Sequence, residues 1–310
     1  MKFEKILVTG GSGMVGKSLQ KIMPNAIYVS SKDYDLTWGG GIQAMIGQIQ
    51  PDAIVHLAAK VGGITDNINK PAEYFTDNIL MNTMLMEFAH RFGGVKRFIG
   101  ILSTCIYPDY PAIENYYPMK ENQLHDGPPT PTNFSYGYAK RCLAVQTEAY
   151  NKQYSTKYQY LVPCNLYGEH DKFGDNSHFI AALIKKIYVA KKNGDDKIVL
   201  FGDGTPMRQF MHSDDLAYVI KYCLENDIYD HMNVATTENL SIKQMAEIAL
   251  EACDAKHLTI HFDSSYPNGQ MRKDVSIELL QSKVQDFKPL GLYDGIKQVY
   301  QFIETEKIID

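Results

Sequence analysis

The sequence predicts an α/β fold, a doubly wound parallel sheet with a second, smaller α/β lobe, on three observations. Short continuous apolar runs alternate with helix-patterned stretches through residues 1–168, as in a parallel sheet covered on both faces. A glycine-rich turn joins the first run to the first helix pattern. The pattern then changes in the final third, where shorter runs and a separate amphipathic helix call for a core of their own.

Taken in order, Ile6-Leu-Val-Thr9 is rich in β-formers and ends at glycines, and Val15 to Met23 follows with helical spacing. Ala26-Ile-Tyr-Val29 and Asp52-Ala-Ile-Val-His-Leu-Ala-Ala59 are the second and third strands, with a helix-like stretch between them. Residues 71–92 read as a long helix with Pro71 in its first turn, where the missing N–H costs nothing. Lys96-Arg-Phe-Ile-Gly-Ile-Leu102 is the fourth strand, 138–153 a helix, and Gln159-Tyr-Leu-Val162 the fifth strand. Beyond these, Ile198-Val-Leu-Phe201 is strand-like. A helix over 240–249 has Ser241 as its N-cap, and Pro267-Asn-Gly269 is a turn. The division expected is 1–168 plus about 209–237 for the sheet unit, and about 169–208 and 238–310 for the lobe.

Composition narrows the function. The 310 residues are 45% apolar and carry a net charge of −5, an ordinary globular balance that disfavours binding to nucleic acid through phosphates. No stretch has the length of a membrane span, and the N-terminus shows no signal-peptide pattern. Five cysteines, Cys105, Cys142, Cys164, Cys223 and Cys253, lack CxxC spacing. That pattern points to a reduced, cytoplasmic protein without a metal site.

The turn Gly10-Gly-Ser-Gly13-Met14-Val15-Gly16 has GxxGxxG spacing at a strand–helix junction. Glycines there let a pyrophosphate approach the backbone, and the helix N-terminus supplies N–H donors, so a Rossmann-like dinucleotide site is expected. The second strand ends in Ser31 and Lys32 rather than a ribose-binding carboxylate, which favours NADP(H) over NAD, although Asp33 is adjacent. Asp35, Leu36, Leu57, Ala58 and Ala59 fall where the adenine end and the wall of the cofactor site belong.

Tyr136-Gly-Tyr-Ala-Lys140 is a YxxxK pattern, whose ends share one helix face. A lysine ammonium beside a phenol would lower its pKa and suit it to proton exchange. Ser103, at the carboxyl end of the fourth strand, can donate to a carbonyl oxygen that becomes negative.

Glycine loop, Ser103 and YxxxK, in this order, resemble the extended short-chain dehydrogenase/reductase family. The blocks Leu57-Ala-Ala-Lys-Val-Gly-Gly63, Ser103-Thr-Cys-Ile-Tyr-Pro108, Asn165-Leu-Tyr-Gly168, Asn176-Ser-His178 and Arg208-Gln-Phe-Met-His-Ser-Asp-Asp-Leu216 are similar to its GDP-L-fucose synthase members over essentially the whole chain. The resemblance implies C3/C5 epimerisation of GDP-4-keto-6-deoxymannose followed by NADPH-dependent reduction at C4, in a homodimer. It implies Ser103, Cys105, Tyr136, Lys140 and His178 as catalytic residues, with Cys105 and His178 as the epimerisation pair. Lys140 would also hold the nicotinamide ribose. Arg208 and Lys273 match positions that bind the GDP diphosphate, Lys186 stands where an arginine is also found, and Asn165 is expected at the nucleotide sugar. This chain departs from the pattern at Gly11-Ser12, where an arginine is frequent. It departs again at Glu169-His-Asp-Lys172-Phe173, where a proline and Asp-Asn-Phe are usual, and at Cys164 in place of threonine. A stand-alone C4-reductase of a GDP-4-keto-6-deoxyheptose shares every reductase residue and stays open. Thr104-Cys105 disfavours a 4,6-dehydratase, which carries an acidic pair there, and the intact Tyr–Lys pair disfavours a non-catalytic NADP sensor.

Overall fold

The computed structural model describes residues 2–110, 116–174, 177–266 and 268–309. Asn176 and Pro267, both named above, lie outside them.

The central sheet is built from β1 (Ile6–Thr9), β2 (Ile27–Val29), β3 (Ala53–His56), β4 (Arg97–Ile101), β5 (Tyr158–Pro163) and, out of sequence, β10 (Met232–Val234). All pairings are parallel and the strand order is β10-β5-β4-β3-β1-β2. The intervening helices are α1 (Met14–Ile22), α2 (Gly39–Ile49), α3 (Ile64–Asn69), α4 (Pro71–Phe92) and α5 (Phe134–Tyr154). Packing sorts most of them into two layers. The helix α1 packs with α7 (Ser213–Glu225), while α2 packs with α4 and α4 with α5. With helices on both faces, every residue of β1, β3, β4 and β5 is buried, which explains their unbroken apolar sequence. The chain reverses direction across the sheet between β1 and β3, so a crevice opens at the carboxyl ends of these strands.

The remaining elements are β6 (Asn165–Tyr167), α6 (Phe179–Asn193), β7 (Lys197–Phe201), β8 (Met207–Arg208), β9 (Phe210–His212), β11 (Leu240–Ser241), α8 (Ile242–Ala252), β12 (Thr259–Asp263), α9 (Glu278–Lys283) and α10 (Leu292–Glu306). Here α6, α8 and α10 surround a second apolar cluster that includes Ile184, Ile198, Met245 and Ile296. Along β7 the burial alternates, with Ile198 and Leu200 inside and Val199 and Phe201 outside. One face of the β7–β12 pair therefore meets solvent, unlike the central sheet. Ser241 is the N-cap of α8, as expected. Its hydroxyl accepts from Gln244 N (3.1 Å) while Gln244 Oε1 accepts from Ser241 N (2.9 Å), a reciprocal capping box.

The helix carrying the YxxxK pattern begins at Phe134, not at 138. A turn over Pro131–Asn133 leads directly into it, so Tyr136 lies in its first turn. No helix among the described residues is long and apolar enough to cross a membrane.

Candidate active site

The glycine loop sits where β1 meets α1, at the crevice. Gly10 has φ +72°, and a Cβ there would lie 2.8 Å from Ala58 N. A Cβ on Gly16 would lie 2.6 Å from both Gly10 O and Gly11 O, so the loop and the helix touch backbone to backbone. Gly13 is the N-cap of α1. No side chain caps the helix and no carboxylate stands in its first turn, which leaves the N–H groups of the Met14 and Val15 turn suited to an anion. This cradle fits a dinucleotide pyrophosphate.

At the end of β2, Ser31 and Lys32 are exposed in a turn. Asp33, whose charge counted against a 2′-phosphate, is turned back onto Ser30, accepting from its N and its Oγ at 2.8 Å each. Those bonds hold its carboxyl below the usual range. Asp35 is engaged by Thr37 through N (2.8 Å) and Oγ1 (2.6 Å), and Leu36 belongs to the buried core. Leu57, Ala58 and Ala59 are half-buried beyond β3, with Ala58 packed against Gly10. Beneath them His56 is fully buried, its Nδ1 2.8 Å from Thr9 Oγ1 and its Nε2 2.9 Å from Asn82 Oδ1. Burial and the nearby Lys140 charge push His56 down to about 3, so it is a neutral brace joining β1, β3 and α4.

Ser103 follows β4 and starts a short turn over Thr104–Ile106, its Oγ accepting from Cys105 N (3.3 Å). Tyr136 packs edge-on against Tyr74, ring centroids 6.4 Å apart. Burial raises its phenol well above the ordinary range, with Cys105 and Tyr74 adding to this and a hydrogen bond with Ser103 opposing it. The Lys140 side chain has an acceptor of its own. Its ammonium, 2% exposed, donates to Ile101 O at 2.8 Å, and burial pushes Lys140 down to about 8. The expectation of a lowered Tyr136 is corrected accordingly: burial outweighs the other influences on the phenol, and the buried Lys140 ammonium has the carbonyl at the end of β4 as its acceptor.

Cys105 has the closest cation. Lys273 Nζ lies 3.0 Å from its sulfur. Burial pushes the thiol up, but Lys273, Ser103 and Arg208 outweigh it and hold Cys105 below the ordinary thiol value. Lys273, expected on a diphosphate, is therefore engaged at the sulfur. Arg208, on β8, donates to Met207 O (2.8 Å) and carries Asp109 and Tyr117 nearby. Ser103, Cys105, Tyr136, Arg208 and Lys273 thus converge at the carboxyl edge of the sheet, with Lys140 beneath.

The other expected residues have partners of their own. His178 is the exposed N-cap of α6, its Nδ1 3.6 Å from Asp171 Oδ1. Among the described residues no hydrogen bond or ion pair joins it to Ser103, Cys105 or Tyr136. Asn165 Nδ2 donates to Gln209 O (3.0 Å), tying β6 to the residue between β8 and β9. Lys186 donates to Val199 O (2.5 Å) and lies over the Phe201 ring, anchored on β7. Sequence reasoning missed the Lys273–Cys105 contact, the His56 brace and Asp171. Only the last had a visible signal, a carboxylate seven residues before the histidine.

Glu169, His212 and Asp214 lie within 4.8 Å of one another, as metal ligands could. Lys21 already provides the cation, 3.3 Å from Glu169 Oε1 and 3.1 Å from Asp214 Oδ2.

Residues 6–235 match the NAD dependent epimerase/dehydratase family. A GDP-L-fucose synthase of Dictyostelium discoideum is 36% identical over 96% of this chain and 94% of its own. A probable GDP-L-fucose synthase of Drosophila melanogaster is 35% identical over 97% and 98%. The crystal structure of a GDP-L-fucose synthetase from Naegleria fowleri bound to NADP superposes with a TM-score of 0.89 at 32% identity, covering 98% of this chain and 93% of that one. With its parallel sheet, its glycine cradle and a Ser–Tyr–Lys arrangement at the strand ends, the chain belongs to the NAD dependent epimerase/dehydratase family, within its GDP-L-fucose synthase branch.

Proposed function

We propose that the protein converts a GDP-4-keto-6-deoxy sugar, GDP-4-keto-6-deoxymannose, to GDP-L-fucose by epimerisation at C3 and C5 and reduction at C4. The observation that carries this reading is the convergence of Ser103, Cys105 and Tyr136, with two cations, beside a glycine cradle that accepts a pyrophosphate. The Gly10–Gly16 loop, with Ser31 and Lys32 at the 2′-phosphate, would hold NADPH, which would supply the hydride for C4.

The chain's own residues do the rest. Ser103 and Tyr136 face the C4 oxygen and stabilise the negative charge that grows on it when a proton leaves C3 or C5. Cys105 and His178 exchange those protons, with Asp171 beside His178 to orient its ring. In the reduction the Tyr136 hydroxyl, kept protonated by burial, gives its proton to the C4 alkoxide. Lys140 stays fixed on Ile101 O and contributes positive charge beneath the site. Arg208, Asn165 and Lys186 serve the nucleotide end. The same reading makes the protein a cytoplasmic homodimer whose sheet unit binds cofactor and whose lobe binds the GDP-sugar; light scattering at micromolar concentration tests the dimer.

The deciding experiment is turnover of GDP-4-keto-6-deoxymannose with NADPH in deuterium oxide. GDP-L-fucose labelled at C3 and C5 is the expected product. Reduction without label at either carbon would remove the epimerase half and leave a C4-reductase. Absence of reduction would move the substrate to another GDP-4-keto sugar, the heptose first.

A further inference from the structure

We propose that Lys273 is a positioning residue for proton transfer, the counter-ion that holds the Cys105 sulfur as a thiolate ready to accept a proton from the sugar. This rests on the epimerase reading above and gives Lys273 a task other than binding phosphate.

The local fold dictates the contact. Residues 272–275 run as an extended strip pinned on both sides. Arg272 bridges to Met207, Val275 bridges to Met119, and Val275 N donates to Gln209 Oε1 (2.9 Å). Further along, Ser276 N donates to Met119 O (2.8 Å). Side chains alternate along an extended strip. Arg272 and Asp274 fall on one side and pair with each other, Nε to Oδ1 at 2.6 Å and Nη2 to Oδ2 at 2.9 Å. Lys273 falls on the other and points at Cys105. Its neighbour's carboxylate is thereby satisfied by Arg272, and among the described residues no carboxylate pairs with Lys273. With only 8% of its surface exposed, its ammonium is left with the sulfur at 3.0 Å as its partner.

The surroundings of Cys105 agree. Ser103 Oγ lies by its backbone N, Arg208 adds a second positive charge, and Tyr136 is a neutral phenol. Asp109 and Tyr117 act on Arg208. A negative sulfur is the charge this arrangement favours. In the step itself the thiolate takes a proton from C3 or C5 and becomes S–H, and the C–H electron pair becomes the enolate at the C4 oxygen. His178, the other member of the pair proposed above, then gives a proton to the opposite face of that carbon. Lys273 transfers no proton in this step, and its placement is what matters.

The test is the pH dependence of Cys105 alkylation by iodoacetamide, read peptide by peptide, in wild type, Lys273→Met and Lys273→Arg. Peptide resolution separates it from Cys142, the exposed thiol. Circular dichroism and NADPH affinity first establish that the variants fold. Lys273→Met should move the inflection upward by about a unit or more, slowing alkylation at neutral pH roughly tenfold, while Lys273→Arg keeps most of the shift. The variant should also move the pH optimum of deuterium entry at C3 and C5 upward. An unchanged Cys105 inflection in Lys273→Met, with only KM for the GDP-sugar raised, would overturn the proposal and return Lys273 to the phosphate. A shifted inflection in a wild-type protein that exchanges no C3 or C5 proton would overturn its role in proton transfer together with the epimerase reading, while the ion pair itself would stand.

Discussion

Gly16→Ala should weaken cofactor binding through a contact measurable in the backbone. A methyl group at this position would lie 2.6 Å from Gly10 O, 2.6 Å from Gly11 O and 2.7 Å from Gly11 C. None of these is the end of a flexible side chain, so helix and loop must separate. Alanine is favoured over glycine in a helix by about 1 kcal/mol, while forcing atoms into a packed site costs about 1–3 kcal/mol. With three backbone contacts this short, the cost falls at the upper end, for a net loss of roughly 2 kcal/mol. If that loss falls on the loop, NADPH affinity drops more than about tenfold, since 1.4 kcal/mol is a factor of ten. Gly47 is the control. It lies in α2, exposed, with nothing within 4 Å of the place a methyl group would take. Gly47→Ala should stabilise by about 0.5–1 kcal/mol and leave cofactor binding unchanged. Fluorescence titration with NADPH and urea unfolding of both variants decide. Wild-type NADPH affinity in Gly16→Ala would refute the cradle.

Three further outcomes are expected. Tyr136→Phe removes the proton donor and should slow single-turnover NADPH oxidation by about 10²–10⁴-fold with unfolding unchanged. Lys140 titrates near 8 in the fold against 10.5 when exposed, so between these values the unfolded chain binds more protons and stability rises with pH. Lys140→Met should lack that rise in urea titrations at pH 7.5, 8.5 and 9.5. Glu169 is buried, and although burial raises its carboxyl, His212 and Gln298 hold it below the usual range. Its contribution is therefore present above the unfolded carboxyl pKa and lost as pH falls. Glu169→Gln should cost about 2 kcal/mol at pH 7, the scale of hydrogen bonds to a charged group, with the gap to wild type narrowing in acid.

Much of the fold was legible because continuous apolar runs have one common cause, burial on both faces. Ile6–Thr9, the helix over 71–92 and the Ser241 cap all stand as expected. The sixth strand, Met232–Val234, was not legible: three residues with Asn233 at the centre carry no pattern, and they are held by pairing to β5. The start of α5 was hidden for a related reason. Phe134 is exposed and adds nothing to an apolar stripe, so the helix shows in sequence only from its buried face onward. At the site, Ser103 and Tyr136 could be placed from strand ends and helix spacing, and Cys105 from the family resemblance. Lys273 could not be set beside Cys105, because 168 residues separate them and the alternation of a strip pinned by Met207 and Met119 decides where its side chain points.

The same reasoning accounts for two departures from the family pattern, at Glu169 and Cys164. Glu169 stands where proline is usual, and its carboxylate is occupied by Lys21 of α1 (3.3 Å), His212 of β9 (3.3 Å) and Gln298 of α10 (2.5 Å). These elements belong to both apolar clusters, so the residue braces the sheet against the lobe. Cys164, in place of threonine, is buried, its thiol donating to Asn165 O (3.6 Å) and pushed up to about 12 by burial. It is an inert core thiol rather than a second nucleophile. Both changes are thus taken up by packing and ion pairing, while the residues proposed for the sugar chemistry lie just after β4, in the first turn of α5, at the N-cap of α6 and in the strip over 272–275. Substitution at the brace should therefore alter stability before it alters chemistry, and substitution along that strip should alter chemistry first.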